Sequence, residues 1–513
     1  MRQAAHRMVA CRPNILLIMS DQQRWDTLGC YGCRAIATPA LDGLAAGGVL
    51  FERCYVNATI CTPSRACMLT GKPPPGHGVY RLHDTLPDDQ VLLPAHLARL
   101  GYETALVGKL HVSGRMVEAQ RRHPHDGFER YEWCIDPQIH LDSPYNGYAA
   151  WLREHHPEFL HRLEAGPQDH HPADAHFSTW AAERAIAFLG ERDPERPFFL
   201  NVSFFDPHSP YFDYPRDAGD LVDRAAIDPV RPLTAAHEPV PGGVAREREG
   251  FHKRYGRHSG GRDLAGVRHG YYASVAFLDR QVGRILAELE RRGLARNTLV
   301  LFVSDHGDMI GDYELITKGA YFYDPCTRVP MILRLPEGEL AGTRVAELVQ
   351  PHDLAATLLR AAGIPADRVT ALMPESQDLA ALARGEVAAR RDHALTMYRN
   401  SGYGNRGYWD PPIYGTMFHD GRYKLSLFHD PAARAAPAGE LYDLEADPGE
   451  TTNLWADPRH AARRDHLTDR LHATLVASEM HHVAGRGGTS WPPGRVEACG
   501  AGTSCPEPAT MSP

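Results

Sequence analysis

Two pairs of residues offer ligands for a divalent cation: Asp21 with Gln22, and Asp305 with His306. Together they supply two carboxylates, an amide and an imidazole. Carboxylate and amide oxygens favour hard ions such as Ca2+ or Mg2+, and the imidazole makes Mn2+ more acceptable. Other segments carry groups that could bind an anionic ester or move its protons. Lys109 and His111 stand in Gly108-Lys109-Leu110-His111. His208 lies between two prolines in Asp206-Pro207-His208-Ser209-Pro210-Tyr211, and Lys318 follows in Thr317-Lys318-Gly319. If the chain stays extended past residue 108, Lys109 and His111 project to the same side. Taken singly, such an Asp could be a helix cap or a turn residue, the Lys a surface charge and the His an ordinary loop residue. Only a shared location would make them a site.

The elements that must position them are legible as mostly apolar runs at 14–20, 103–108, 198–205 and 298–304, the pattern of parallel strands buried on both faces. Helical patterns at 40–47, 94–100, 181–189 and 271–291 lie between them. This alternation predicts an α/β domain built on a large, mostly parallel sheet flanked by helices. Each strand ends at a chemically useful residue: Asp21, Lys109, Asp206 with His208, and Asp305. Sites in open α/β sheets form just outside the carboxyl ends of the strands, so the four clusters are expected to converge.

At 513 residues the chain is long enough for one large domain with a smaller appendage. Its 43% hydrophobic and 23% charged residues describe an ordinary globular protein, and a net charge of −9 argues against non-specific nucleic-acid binding. The ten cysteines form no regular framework. Cys30 and Cys33 make a C-x-x-C, but no second pair lies at zinc-site spacing, so the cysteines are read as reduced and structural. The apolar stretch 15–19 is too short for a signal segment, and no run approaches the roughly 20 apolar residues that span a bilayer. The expectation is a cytoplasmic protein without a membrane partner. The sequence divides into a catalytic α/β domain at 13–390, a smaller α+β subdomain at 391–480 and a disordered tail at 485–513. The subdomain shows short antiparallel strands around 396–398, 423–428 and 440–444 and a helix at 458–478. The tail is rich in Gly, Pro, Ser and Thr. The segment 218–261, rich in Arg, Gly, Pro and His, reads as a long irregular insertion.

Cys61-Thr62-Pro63-Ser64-Arg65 resembles the pentapeptide in which sulfatases have their cysteine oxidised to formylglycine, whose hydrated aldehyde is the nucleophile. Further motifs follow the same family in order: Pro13-Asn14-Ile15-Leu16, Leu69-Thr70-Gly71, Gly108-Lys109-Leu110-His111, Ser304-Asp305-His306-Gly307-Asp308, and Glu440-Leu441-Tyr442-Asp443-Leu444 with Asp447-Pro448 and Asn453-Leu454. The chain is thereby identified as a member of the formylglycine-dependent sulfatase family of the alkaline-phosphatase superfamily, over roughly residues 13–454. The resemblance implies an alkaline-phosphatase-like fold and a sulfuric ester hydrolase. Cys61 would become the nucleophile. One divalent cation, most often Ca2+ with Mg2+ or Mn2+ as alternatives, would be held by Asp21, Gln22, residue 61, Asp305 and His306. Arg65 and Lys109 would steady the hydrate, and His208 and Lys318 would contact the sulfate, one of them protonating the departing alcohol. His111 would take the proton that lets sulfate leave. The implied partners are a small-molecule sulfate ester and a formylglycine-generating maturation enzyme, and composition leaves a homo-oligomer open. Gln22 and His306 depart from the commoner Asp and Asn of the family. The same two residues occur in relatives acting on choline sulfate or on phosphonate monoesters.

The alternative on the same scaffold is therefore a phosphonate monoester or phosphodiester hydrolase. A catalytically silent binding protein would require loss of a central residue, and all of them are present. The segment with Tyr398, Arg399, Asn400, Tyr403, Tyr408 and Trp409 could fold over the site or pack its aromatics against the main domain.

Overall fold

The computed structural model describes residues 12–389, 391–402, 408–429 and 438–486. Nine strands form one sheet: β1 (Asn14–Ser20), β2 (Val49–Tyr55), β3 (Glu103–Gly108), β4 (Arg130–Trp133), β5 (Phe198–Ser203), β6 (Thr298–Ser304), β7 (Arg328–Val329), β8 (Met331–Arg334) and β9 (Thr343–Val349). Their order is β4-β3-β5-β1-β6-β8-β2-β7, with β9 also pairing β2. The five strands from β4 to β6 run parallel, and β8 adds antiparallel to β6. The sheet is thus mixed, with its parallel half at the strands that the apolar runs indicated.

Alternation along each central strand explains why these runs are apolar throughout. In β1, Leu16 and Ile18 enter one core while Ile15, Leu17 and Met19 enter the other. In β6, Val300 and Phe302 likewise part from Leu299, Leu301 and Val303. A strand whose two faces both meet helices keeps no polar side. The helices used below are α1 (Pro39–Ala46), α2 (Cys61–Thr70), α3 (Leu93–Arg99), α4 (Phe177–Glu191), α5 (Gly242–Glu249), α6 (Phe251–His258), α7 (Leu264–Arg291), α8 (Asp353–Ala361) and α9 (Ala461–Arg486). Helices α1, α4 and α7 cover the first face, and α2, α3 and α8 the second.

Three of the four strands expected from sequence have the bounds anticipated, and β5 stops at Ser203, two residues early. Helix α7 begins before the residue 271 expected, at Leu264, because Asp263 caps it by accepting from Gly266 N at 2.8 Å. The insertion 218–261 is not irregular throughout: it contains α5 and α6. Glu247 of α5 is buried, paired with Arg254 of α6, and accepts from the Ala320 amide at 2.9 Å. Those ion-pair and hydrogen-bond partners stabilise helices that glycine and arginine content conceals.

A second sheet is an antiparallel meander of β10 (Ala394–Arg399), β11 (Tyr414–His419), β12 (Tyr423–His429) and β13 (Ala438–Asp443). One face packs Leu395, Phe418, Leu425 and Leu441 on Leu467 and Leu471 of α9. The other contributes Tyr398, Met417, Phe428 and Tyr442 to a core shared with Tyr55 and residues after β6. Gln350 ties the sheets, donating to the carbonyls of Tyr55 at 3.2 Å and Leu395 at 2.9 Å. The tail expected from 485 falls outside the described residues except for 485 and 486, which end α9. Among the described residues no helix is long and apolar enough to cross a membrane. Cys30 and Cys33 are free thiols, and burial pushes the Cys30 thiol up to about 12.

Candidate active site at the carboxyl ends of four strands

Helix α2 starts at Cys61 and ends at Gly71, whose φ of +66° supplies the left-handed turn that closes many helices. All ten of its residues are buried, so its polar groups must be satisfied internally. Ser64 donates to the Asp305 carbonyl at 2.6 Å, and Thr70 to the Ala66 carbonyl at 2.6 Å. Arg65 reaches the ends of all four central strands. Its Nε donates to Asp305 Oδ2 at 2.7 Å and Nη2 to Asp21 Oδ2 at 2.9 Å. Its Nη1 donates to the Lys109 carbonyl at 3.0 Å and to Ser203 Oγ at 2.7 Å. These contacts place Cys61, at the amino end of the helix with its positive dipole end, directly over Asp21 and Asp305.

Cys61 Sγ lies 3.0 Å from His306 Nε2 and 3.9 Å from Asp21 Oδ1. Lys109 Nζ pairs with Asp21 Oδ2 at 2.6 Å. Asp305 Oδ1 accepts from the amides of Gln22 at 3.0 Å and His306 at 2.9 Å. Gln22 adopts φ +67°; its Nε2 donates to Asp308 Oδ2 at 2.6 Å, and its Oε1 accepts from Lys318 Nζ. Lys318 also meets His208 Nε2. Close packing of the strand ends leaves no room for side chains at two glycines. A Cβ on Gly108, at φ +104°, would lie 2.0 Å from the Ser203 carbonyl, and one on Gly307 would lie 1.9 Å from that of Pro325.

Asp21, Cys61, Asp305 and His306 each place a buried donor atom within 4.8 Å of the others. His306 Nδ1 bonds the Gly307 carbonyl at 3.0 Å, which puts the hydrogen there and turns the Nε2 lone pair to the cluster. Two carboxylates, an imidazole nitrogen and the nearby Gln22 amide oxygen fit a divalent cation.

Burial opposes charge throughout this centre, yet neighbouring charges outweigh it at several positions. Lys109 and Arg65, with Lys318, overcome burial to hold the Asp21 carboxyl well below the ordinary range. Burial and Asp21 push the Cys61 thiol up, but Lys109 and Lys318 leave it lower than usual. Burial with Lys109 and Arg65 holds His111 well below 6.5, and burial with Lys318 does the same to His208. Both rings are therefore neutral near pH 7.

Every residue expected from sequence to act here meets in one place: Asp21, Gln22, Cys61, Arg65, Lys109, His111, His208, Asp305, His306 and Lys318. Above them opens a cavity of about 600 Å3, floored by Cys61, Lys109, His111, His208 and Lys318. Two expectations need correction. The chain does not stay extended past residue 108, since His111 has φ +56°. The cause is Glu118, whose buried carboxylate accepts from the amides of His111, Val112 and Ser113 at 2.8, 2.7 and 3.0 Å and from Trp133 Nε1 at 2.9 Å. His111 is thereby turned onto Thr62, its Nε2 2.9 Å from Thr62 Oγ1. The Thr62 hydroxyl donates to the Leu82 carbonyl at 3.1 Å, so Nε2 carries the ring hydrogen. Nδ1 is left as a buried acceptor without a hydrogen-bond partner among the described residues. Asp206 also turns away from the centre to accept from Ser178, and burial pushes it up to about 7.

Sequence reasoning missed Glu118 and Asp308. A lone Glu in 115–118 carries no signal. Asp308 stood inside a quoted motif without a role; it accepts from Gln22, from Tyr211 OH at 2.6 Å and from the Ile310 amide at 2.9 Å. In the aromatic segment, Trp409 donates to Tyr398 OH at 2.9 Å, and of the described residues only Gly402 lines the cavity. Tyr403 lies outside the described residues.

A family model described as Sulfatase matches residues 13–364, and one described as N-sulphoglucosamine sulphohydrolase, C-terminal, matches residues 311–477. An arylsulfatase of Clostridium perfringens is 29% identical over 508 residues, covering 92% of this chain and 96% of that protein. An N-acetylglucosamine-6-O-sulfatase of Bacteroides thetaiotaomicron is 25% identical and covers 90% of this chain and 86% of its own. The solved structure of the phosphonate monoester hydrolase of Agrobacterium radiobacter aligns with a TM-score of 0.72 at 25% identity, over 91% of this chain and 96% of the other.

The Glu118 arrangement yields a first prediction. In Glu118→Gln an NH2 group faces backbone donors that need an acceptor, and each orphaned amide costs about 1–3 kcal/mol. Denaturation should show a loss of at least that size. The kcat should fall about tenfold or more, with a smaller change in KM, because His111 is no longer held at Thr62. Unchanged kcat in a folded variant would refute the positioning.

Proposed function

The chain belongs to the sulfatase family, and on that premise we propose that it hydrolyses a sulfate monoester using residue 61 as formylglycine hydrate beside a divalent cation. The observation that carries this reading is Cys61 on the floor of the cavity, within 4.8 Å of three buried ligand atoms from Asp21, Asp305 and His306. These residues, with the Gln22 amide oxygen and an oxygen of converted residue 61, would hold Ca2+, or Mg2+ or Mn2+ in its place. When bound, the cation supplies Lewis-acid stabilisation of the sulfuryl oxygens. A maturation enzyme that converts Cys61 is the implied partner.

The chain's own groups then divide the work. One hydroxyl of the hydrated residue 61 gives up its proton to solvent and its oxygen attacks sulfur, while the bond from sulfur to the alcohol oxygen breaks. Lys109 and the guanidinium of Arg65 offset charge gathered at the nucleophile. The departing alkoxide needs a proton. His208 Nδ1 bonds the Ser209 carbonyl, which leaves Nε2 to accept from Lys318 Nζ, making Lys318 the acid and His208 its support. The bound sulfate ester is released when His111 Nδ1 takes the proton of the second hydroxyl, the carbon–oxygen bond to sulfate breaks and the aldehyde re-forms. Water restores the hydrate.

A phosphonate monoester hydrolase is the second reading, favoured by the Agrobacterium radiobacter structure and by the Gln22 and His306 ligands. Parallel kcat/KM measurements on aryl sulfates and aryl phosphonate monoesters separate the two. Sulfatase activity predicts the higher value for sulfates and its loss on chelation, with recovery on adding Ca2+ or Mn2+. A higher value for phosphonates reverses the assignment.

The acid role makes a second prediction. Lys318→Ala should lower kcat by about 100-fold or more for alkyl sulfates and much less for 4-nitrophenyl sulfate, whose leaving group needs no proton. Both His111 and His208 bind protons only well below their ordinary 6.5. The acid limb of the kcat profile should therefore lie below pH 6.5, with the rate falling as pH falls. A uniform loss across leaving groups, or an inflection at 6.5, would assign the proton elsewhere.

A further inference from the structure

The chemistry above uses only the floor of the cavity. A volume of about 600 Å3 is that of a site for a drug-sized ligand (about 300–1,000 Å3), far more than a sulfuryl group fills. Among the described residues, the permanent cations lining it are Lys109, Lys318, Arg115 and Arg257, against a single carboxylate, Asp136. The histidines do not add charge: burial and nearby cations push His258 down to about 4 and also lower His83, His111 and His208.

The two lysines are engaged at depth with Asp21, Gln22 and His208. The two arginines are not. Both are exposed, and neither guanidinium makes a hydrogen bond or ion pair with a described residue. Their backbones are nonetheless fixed. Arg115 opens the short helix Arg115–Glu118, whose last residue is the buried carboxylate that holds the His111 loop. Arg257 lies on α6, anchored one turn earlier by the ion pair of Arg254 with buried Glu247. The cavity is therefore lined by two guanidiniums carried on helices, with open forks. Asp136 sits near Arg115 and Lys109 and offsets only part of this charge. Ile135, Ile139, Phe205 and Phe212 add an apolar surface to the same cavity.

Two guanidiniums with open forks at the wall of one cavity, their charge only partly offset, attract anions, and the planar fork matches a carboxylate or sulfate with two parallel hydrogen bonds. We propose that Arg115 and Arg257 form a second anion subsite, so that the preferred substrate is the sulfate ester of an apolar-bodied alcohol carrying another carboxylate or sulfate. This rests on the sulfatase reading of the floor.

The test compares kcat/KM for phenyl sulfate, 3-carboxyphenyl sulfate and resorcinol bis-sulfate in the wild-type enzyme and in the Arg115→Gln, Arg257→Gln and doubly substituted variants. The wild type should prefer at least one dianionic ester about tenfold or more, with the carboxylated and sulfated esters distinguishing the anion. The double variant should lose that preference while phenyl sulfate stays within about twofold, and added salt should weaken it in the wild type. No wild-type preference, or a preference that survives in the double variant, overturns the subsite. Failure of all the sulfates, with phosphonate monoesters turned over instead, refutes the sulfatase reading. The same criteria applied to phenyl and carboxyphenyl phosphonates then decide the subsite.

Discussion

One buried guanidinium holds the catalytic centre together. Arg65 is wholly inaccessible, and its donors join Asp21 after β1, the Lys109 carbonyl after β3, Ser203 at the end of β5 and Asp305 after β6. Burying this charge is costly in isolation; two carboxylates and two further acceptors offset the cost. The arrangement is possible only because β3, β5, β1 and β6 are consecutive and parallel in the sheet, which aligns their carboxyl ends. Because Arg65 lies one turn into α2, fixing it also fixes Cys61 above the two carboxylates. The arginine of the pentapeptide thus determines where the nucleophile stands.

Around that tie, several further buried carboxylates act as backbone and side-chain holders. Glu118 shapes the His111 loop, Asp308 orients Gln22, and Glu247 fixes the turn after Lys318 through the Ala320 amide. Each accepts several hydrogen bonds, the condition under which a carboxylate remains tolerable away from water. Their effect is to hold Cys61, His111 and Lys318 on elements that cannot drift, as a hydrolytic site requires. Protonation is sorted as well: burial and nearby cations depress His111 and His208, leaving one ring with a free acceptor nitrogen and the other accepting from Lys318.

Much of this was legible in the sequence because the parallel strands are buried on both faces and so read as apolar runs, each ending in a reactive residue. The residues of the centre could be named individually because strand ends and the pentapeptide marked them. What escaped lacked such a signal. The short strands β4, β7 and β8 are too brief for a periodic pattern. Helices α5 and α6 owe their place to the Glu247–Arg254 pair rather than to an apolar stripe. The turn of His111 depends on Glu118, seven residues on, and no local propensity announces a carboxylate that gathers three successive amides. The apolar wall and the two arginines of the cavity likewise come together only in the folded chain.

The central claim is that residue 61 acts after conversion of its thiol to an aldehyde. The direct measurement is peptide mass spectrometry of the Cys61 fragment across preparations of different specific activity against an aryl sulfate. The account predicts that specific activity rises in proportion to the fraction carrying the mass loss of thiol-to-aldehyde conversion, and extrapolates to none at zero conversion. Full activity in protein whose Cys61 remains an intact thiol would contradict it.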